Sequence, residues 1–128
     1  VSAPWPGPRA KVLIIDDDEF MRDLFRLHLG NAGYEVIVAD DGIAGGHLAL
    51  TSAPDLVLVD VQMPHMSGYE LVDAMKADET TRHIPVIFVT SDADVDERAG
   101  KLGAQAYLKK PVRAERLLEV VAFFTSQG

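Results

Sequence analysis

Six side chains in this sequence have the types and positions to do chemistry together: Asp16, Asp17, Asp60, Thr90, Ser91 and Lys110. Each stands at or just beyond the end of a short apolar run. Val12-Leu13-Ile14-Ile15 leads into Asp16-Asp17-Asp18-Glu19, Leu56-Val57-Leu58-Val59 into Asp60, Val86-Ile87-Phe88-Val89 into Thr90-Ser91, and Ala106-Tyr107-Leu108 into Lys109-Lys110-Pro111. Continuous apolar runs rich in β-branched residues read as strands buried on both faces. Open α/β sheets bind ligands outside the carboxyl ends of their strands, where strand order reverses, so these residues should gather at one rim. Carboxylates brought together there repel one another. Raised pKa values relieve the repulsion, or a hard, oxygen-seeking divalent cation such as Mg²⁺ does. A carboxylate pair for a metal, a further carboxylate as nucleophile, a hydroxyl donor and an ammonium are the parts needed to receive a phosphoryl group, a reaction catalysed mainly by positioning and charge neutralisation.

The elements that must hold these residues are legible in the spacing. Met21, Leu24, Phe25, Leu29 and Ala32 share one side of a helix that Asp18 or Glu19 caps and Gly33 ends. Tyr34 to Ala39 reads as a second strand, and Asp40-Asp41-Gly42 turns into a second helix running to about Thr51. Gly45 and Gly46 lie in its middle, each costing about 1 kcal/mol relative to Ala, so it is expected to be the loosest helix. Beyond Gly68, Leu71, Val72 and Met75 mark a third helix; Val95, Ala99 and Leu102 mark a fourth, and Leu117, Val121 and Phe124 a fifth. Five strands alternating with five helices predict an α/β fold: a parallel, doubly wound, flavodoxin-like sheet with right-handed crossovers.

With 128 residues the chain is long enough for one ordinary core. Residues 1–10, with Pro4, Pro6, Gly7 and Pro8, are expected to form a Pro-rich extension or linker, with Trp5 a lone apolar residue in it; residues 11–128 are expected to form the domain. A formal net charge of -8 argues against direct binding to nucleic acid or an anionic membrane. Without cysteine there are neither disulfides nor thiolate-held zinc, which suits a reducing cytoplasm. His28, His47, His65 and His83 lack metal-site spacing.

The acidic cluster after the first strand, Asp60-x-x-Met63-Pro64-x-Met66-Ser67-Gly68, Thr90-Ser91, and Lys110-Pro111 preceded by Tyr107 together resemble the receiver domains of two-component response regulators, over Lys11 to about Phe124. The resemblance implies that Asp60 accepts a phosphoryl group from a histidine kinase or a histidine phosphotransfer domain. It implies that Asp17, Asp60 and the Gln62 backbone carbonyl hold Mg²⁺, with Mn²⁺ able to substitute, while Asp16 acts nearby through water. Thr90, Ser91 and Lys110 would contact the phosphoryl oxygens, and Thr90 with Tyr107 would form the switch. The Lys110-Pro111 bond would be cis, and Gln62 and Asp92 would tune hydrolysis of the acyl phosphate. The face made by the fourth helix, fifth strand and fifth helix would meet a downstream effector or a tethered output domain. A homodimer formed on phosphorylation is a further implied partner, although Gln105-Ala106 replace the paired acids of one dimerising subgroup. The chain would be either a stand-alone receiver or part of a longer regulator or hybrid kinase.

Two rival functions come from other classes. Asp16-x-Asp18 after an apolar strand also resembles the start of haloacid-dehalogenase-like phosphohydrolases, with Asp16 as nucleophile, but Phe20 stands where that family prefers Thr or Val. A receiver-like scaffold that is never phosphorylated is the other. Retention of every acceptor-site residue argues against it.

Overall fold

The computed structural model describes residues 9–126. Residues 1–8 of the Pro-rich extension expected over 1–10 lie outside the described residues. Arg9 and Ala10 already join the domain's hydrogen bonding: Arg9 N–H donates to the Gly33 carbonyl at 3.0 Å, and the Ala10 carbonyl accepts from Glu35 N–H at 2.9 Å.

The chain alternates β1 (Lys11–Ile15), α1 (Glu19–Asn31), β2 (Glu35–Ala39), α2 (Gly42–Ser52), β3 (Leu56–Val59), α3 (Gly68–Ala77), β4 (Val86–Thr90), α4 (Val95–Lys101), β5 (Ala106–Lys109) and α5 (Ala114–Thr125). All strand pairs are parallel, in the order β2-β1-β3-β4-β5. This is the doubly wound, flavodoxin-like architecture expected from the alternation. The central runs are apolar throughout because both faces are covered. Val12, Ile14, Leu56, Leu58, Ile87 and Val89 pack with Phe25, Leu29 and Leu117 of α1 and α5. Their neighbours Leu13, Ile15, Val57, Val59, Val86 and Phe88 pack with Ala49, Leu71, Val72, Met75 and Val95 on the opposite face. Side chains one apart on a strand point to opposite sides, so a single run feeds two cores.

Local chemistry sets the helix starts. The Asp18 carboxylate accepts from Phe20 N–H at 2.9 Å, and the Asp41 carboxylate from Ala44 N–H at 2.8 Å. Ser67 and Glu70 form a reciprocal capping box at the start of α3.

The glycine pair in α2 has a packing reason that a propensity scale does not contain. A Cβ on Gly45 would lie 2.6 Å from Ile15 Cδ1, and one on Gly46 3.3 Å from Leu71 Cδ1. Gly45 thus lets α2 lie directly on β1, the strand that carries Asp16.

Candidate functional site

Strand order reverses between β1 and β3, because the chain moves from β1 out to β2 and then back to the other side. The residues after these two strands are therefore splayed around one crevice. Asp60 N–H donates to the Ile15 carbonyl at 2.9 Å and Asp16 N–H to the Ala39 carbonyl at 3.1 Å, so both acids continue the sheet ladder. Carboxylate oxygens of Asp16, Asp17 and Asp60 lie within 4.8 Å of one another. Asp16 and Asp60 are buried, at 2% and 8% exposure, while Asp17 is exposed.

Lys110, after β5, closes the cluster from the far side. Its ammonium donates to Asp16 Oδ2 at 2.8 Å and to Asp60 Oδ2 at 3.0 Å. The lysine's backbone N–H donates to the Thr90 carbonyl at 3.0 Å, and the Lys110-Pro111 peptide is cis, as the resemblance implies. The remaining carboxylate oxygens face backbone donors. Asp60 Oδ1 accepts from Val61 N–H at 2.6 Å and from Gln62 N–H at 3.4 Å, and Asp16 Oδ1 accepts from Asp18 N–H at 2.9 Å.

These contacts shape the ionisation. Burial pushes the Asp16 carboxyl above its ordinary 3.8; the Asp60 charge adds to this, and the bonds from Lys110 and Asp18 oppose it without cancelling it. Burial by itself would lower the Lys110 pKa, but the hydrogen bonds and charges of Asp16 and Asp60 outweigh it and raise the ammonium above its ordinary 10.5. The all-oxygen donor set and the 4.8 Å span fit a hard divalent cation such as Mg²⁺. Lys110 already neutralises part of the charge that such an ion would meet.

The other expected residues stand at graded distances from this centre. Thr90 is fully buried at the end of β4, its Oγ1 accepting from Asp92 N–H at 3.2 Å. Ser91 and the Gln62 side chain are exposed, and Gln62 meets Asp60 through its backbone N–H. Tyr107 lies beside Phe88 in the β4–β5 register and is 40% exposed, so its ring is on the outside. The Asp92 carboxylate is held by α3, accepting from the Tyr69 hydroxyl at 2.8 Å.

Three contributors escape sequence reading. The Arg22 guanidinium, one turn into α1, donates to the Asp16 carbonyl at 2.8 Å, and nothing in the helical pattern of that segment marks it. Tyr69 of α3 donates to Asp92, and Arg98 of α4 stacks on the Tyr69 ring. Gly68 was part of the motif, but its purpose is geometric: a Cβ there would sit 2.1 Å from the Asp60 carbonyl oxygen. Only glycine allows α3 to begin against the backbone of Asp60.

Comparison with known proteins agrees with this arrangement. A family model described as the response regulator receiver domain matches residues 12–122. The chain is 40% identical over 112 residues to the polar-differentiation response regulator DivK of Brucella ovis, covering 86% of this chain and 91% of that protein. Among solved structures it is similar to the chemotaxis response regulator CheY4 of Vibrio cholerae, with a TM-score of 0.84, 32% identity, and coverage of 90% of this chain and 98% of that one. A receiver domain of a signal transduction histidine kinase from Syntrophus aciditrophicus matches with a TM-score of 0.84 and 29% identity, covering 91% and 90% of the two chains. These matches are to receiver domains and favour that resemblance over the phosphohydrolase start built on Asp16. Topology, rim residues and relatives converge on one assignment: the chain belongs to the response regulator receiver domain family of two-component signalling.

Proposed function

We propose that residues 11–128 act as a phosphoacceptor receiver in which Asp60 takes a phosphoryl group from the phosphohistidine of a histidine kinase or histidine phosphotransfer domain. An Asp60 carboxylate oxygen attacks phosphorus, the P–N bond breaks, and its electron pair stays on the departing imidazole. The product is an acyl phosphate on Asp60. The observation that carries this reading is the convergence of three carboxylates within 4.8 Å, with Lys110 bridging two of them.

Asp17, Asp60 and the Gln62 carbonyl would hold Mg²⁺ or Mn²⁺, with Asp16 assisting nearby. When bound, the cation supplies neutralisation of the charge that develops on the transferring oxygens. The Lys110 ammonium leaves Asp60 Oδ2 for a phosphoryl oxygen, and the Thr90 hydroxyl and Ser91 bind the remaining ones. Movement of Thr90 toward the phosphate opens room for the Tyr107 ring to turn inward. The acyl phosphate adds roughly two negative charges at the rim, and this biases two pre-existing arrangements of α4, β5 and α5. That face then meets an effector, a tethered output domain or a second copy of the chain. Gln62 and Asp92 set how fast the acyl phosphate hydrolyses. No described helix is long and apolar enough to cross a membrane. The domain would act in the cytoplasm, with its kinase, and without direct contact with nucleic acid.

The test is chemical trapping. Incubation with acetyl phosphate and Mg²⁺, borohydride reduction and peptide mass spectrometry should place the label on Asp60, and the Asp60→Asn variant should carry none. A label on Asp16, or equal labelling of the Asn variant, overturns the assignment.

A further inference from the structure

Tyr69 lies at the second position of α3, almost wholly buried, yet its hydroxyl is not spent on the core. It donates to Asp92 Oδ2 at 2.8 Å, and the same oxygen accepts Asp94 N–H at 3.1 Å. The guanidinium of Arg98, on α4, stacks 3.9 Å above the Tyr69 ring centroid. Phe88 of β4 meets that ring edge-on, with centroids 5.2 Å apart at 69°. Tyr69 therefore contacts the strand that ends in Thr90, the loop after it and the helix after the loop. It is itself anchored next to Gly68, whose backbone abuts the Asp60 carbonyl.

The Tyr69–Asp92 bond has a second mark. Burial, followed by the hydrogen bond to Asp92, drives the Tyr69 phenol well above its ordinary pKa. The bond to a carboxylate persists as long as the proton stays on the phenol.

We infer that Tyr69 is a positioning residue that holds the Asp92 carboxylate against α3, and thereby restrains hydrolysis of the acyl phosphate while tying the start of α4 to the phosphorylation site. This rests on the Asp60 reading above. Asp92 stands two residues beyond Thr90, on a loop whose backbone N–H already touches the Thr90 hydroxyl. A carboxylate released there reaches water at the acyl phosphate and acts as general base. In that step the water oxygen bonds to phosphorus, the P–O bond to Asp60 breaks, its electron pair returns to the Asp60 carboxylate, and the water proton passes to Asp92. While Tyr69 donates to Asp92 Oδ2, that acceptor is occupied.

A hydrogen bond to a charged group biases a two-position equilibrium by roughly tenfold, so Tyr69→Phe should shorten the acyl phosphate lifetime by about that factor. The ring contacts with Phe88 and Arg98 remain, and urea unfolding checks that the variant is folded. In an Asp92→Ala background, Tyr69→Phe should have no effect on decay. An unchanged lifetime in Tyr69→Phe, or an equal change with and without Asp92, overturns the inference. A readout without phosphorylation separates it from the Asp60 reading. Ultraviolet titration of the unphosphorylated chain, with Tyr69 assigned by its loss in Tyr69→Phe, should show its ionisation falling toward the ordinary value in Asp92→Ala. If the wild type fails to label at Asp60, the Asp60 reading fails and takes with it the effect on hydrolysis. If the Tyr69 titration is the same with and without Asp92, the contact itself fails, whatever the chemistry at Asp60.

Discussion

Replacing Lys110 with Met keeps a long unbranched side chain while deleting the ammonium that bridges Asp16 at 2.8 Å and Asp60 at 3.0 Å. Removing one partner of a fully buried ion pair costs about 3–5 kcal/mol, because the other charge is left uncompensated. The lysine side chain is 18% exposed, so water screens part of the interaction, and a loss of about 2 kcal/mol is expected at neutral pH in chelator. The loss carries a pH signature with a definite sign. The folded pKa of Lys110 is raised above 10.5, so its contribution is whole below that value and disappears as pH rises through the folded value. On the acid side, the folded pKa of Asp16 is raised above 3.8. Its charge thus opposes folding at neutral pH, and that penalty is relieved as pH falls through the folded value toward 3.8. With Asp16 neutral, half of the bridge has no ion pair to make. The gap between wild type and variant is therefore widest near neutrality and narrows toward both ends. Urea unfolding midpoints across a pH series, with m unchanged, measure it. Removal of a competing cation should also tighten Mg²⁺ binding. A gap of constant size from acid to alkali would refute the reasoning and assign the role of Lys110 to the packing of its stem.

The same site makes a prediction at Asp17, which is exposed, unlike Asp16 and Asp60. Asp17→Asn should change stability in chelator by no more than about 0.5 kcal/mol, yet remove the stabilisation that Mg²⁺ gives the wild type, which is about 2.7 kcal/mol at a hundredfold excess over Kd. Thermal melts with and without Mg²⁺ decide it, and an Asn variant that Mg²⁺ stabilises like the wild type would remove Asp17 from the metal set. Two helix glycines should respond oppositely to alanine. A Cβ at Gly45 would meet Ile15 at 2.6 Å, so Gly45→Ala should cost about 1–3 kcal/mol by overpacking, whereas Gly100 has nothing within 4 Å and Gly100→Ala should gain up to about 1 kcal/mol in helix propensity. Equal effects in urea unfolding would mean that the close packing of α2 on β1 is not limiting.

The sheet was legible because its central strands, β1, β3 and β4, are buried on both faces and end in polar groups. A run such as Leu56-Val57-Leu58-Val59 followed by Asp60 has few other readings, and four such runs in order leave little freedom in topology. The Asp16, Asp17, Asp60 and Lys110 constellation was legible for the same reason, since strand ends converge wherever a parallel sheet switches direction. Tyr69, Arg22 and Arg98 were not. Tyr69 sits in a buried helical stripe, where periodicity registers the ring and is blind to the hydroxyl. Arg22 and Arg98 stand among the charged residues of α1 and α4, and their targets are a carbonyl and a ring from other elements. The Gly45-Gly46 pair was visible only as a propensity cost, because its benefit lies in the width of Ile15 across the interface.

Charge balance explains why the visible part of the site is arranged as it is. Three carboxylates against one ammonium leave a formal charge of minus two at the rim, with Asp16 and Asp60 largely shielded from bulk water. Lys110 cannot neutralise both buried acids and Asp17 as well, so the unphosphorylated fold retains a deficit that one divalent cation would match. Transfer of a phosphoryl group removes the Asp60 charge and brings roughly two in its place. On the proposed mechanism the deficit would then grow by one, at a point where Lys110 would already have been drawn toward the new oxygens. That added charge lies at the end of β3, beside the strand whose terminal Thr90 accepts from Asp92 N–H and whose loop runs into α4. On the proposed mechanism, a rearrangement that relieves it would pass most directly along the Thr90, Asp92 and Tyr69 contacts, since the Asp94 N–H bond to Asp92 and the stacking of Arg98 on Tyr69 join these to a helix only seven residues long. On this argument a weakened Tyr69–Asp92 contact changes both the lifetime of the acyl phosphate and the order of α4, and amide hydrogen exchange at α4 should rise in Tyr69→Phe before any phosphoryl donor is added.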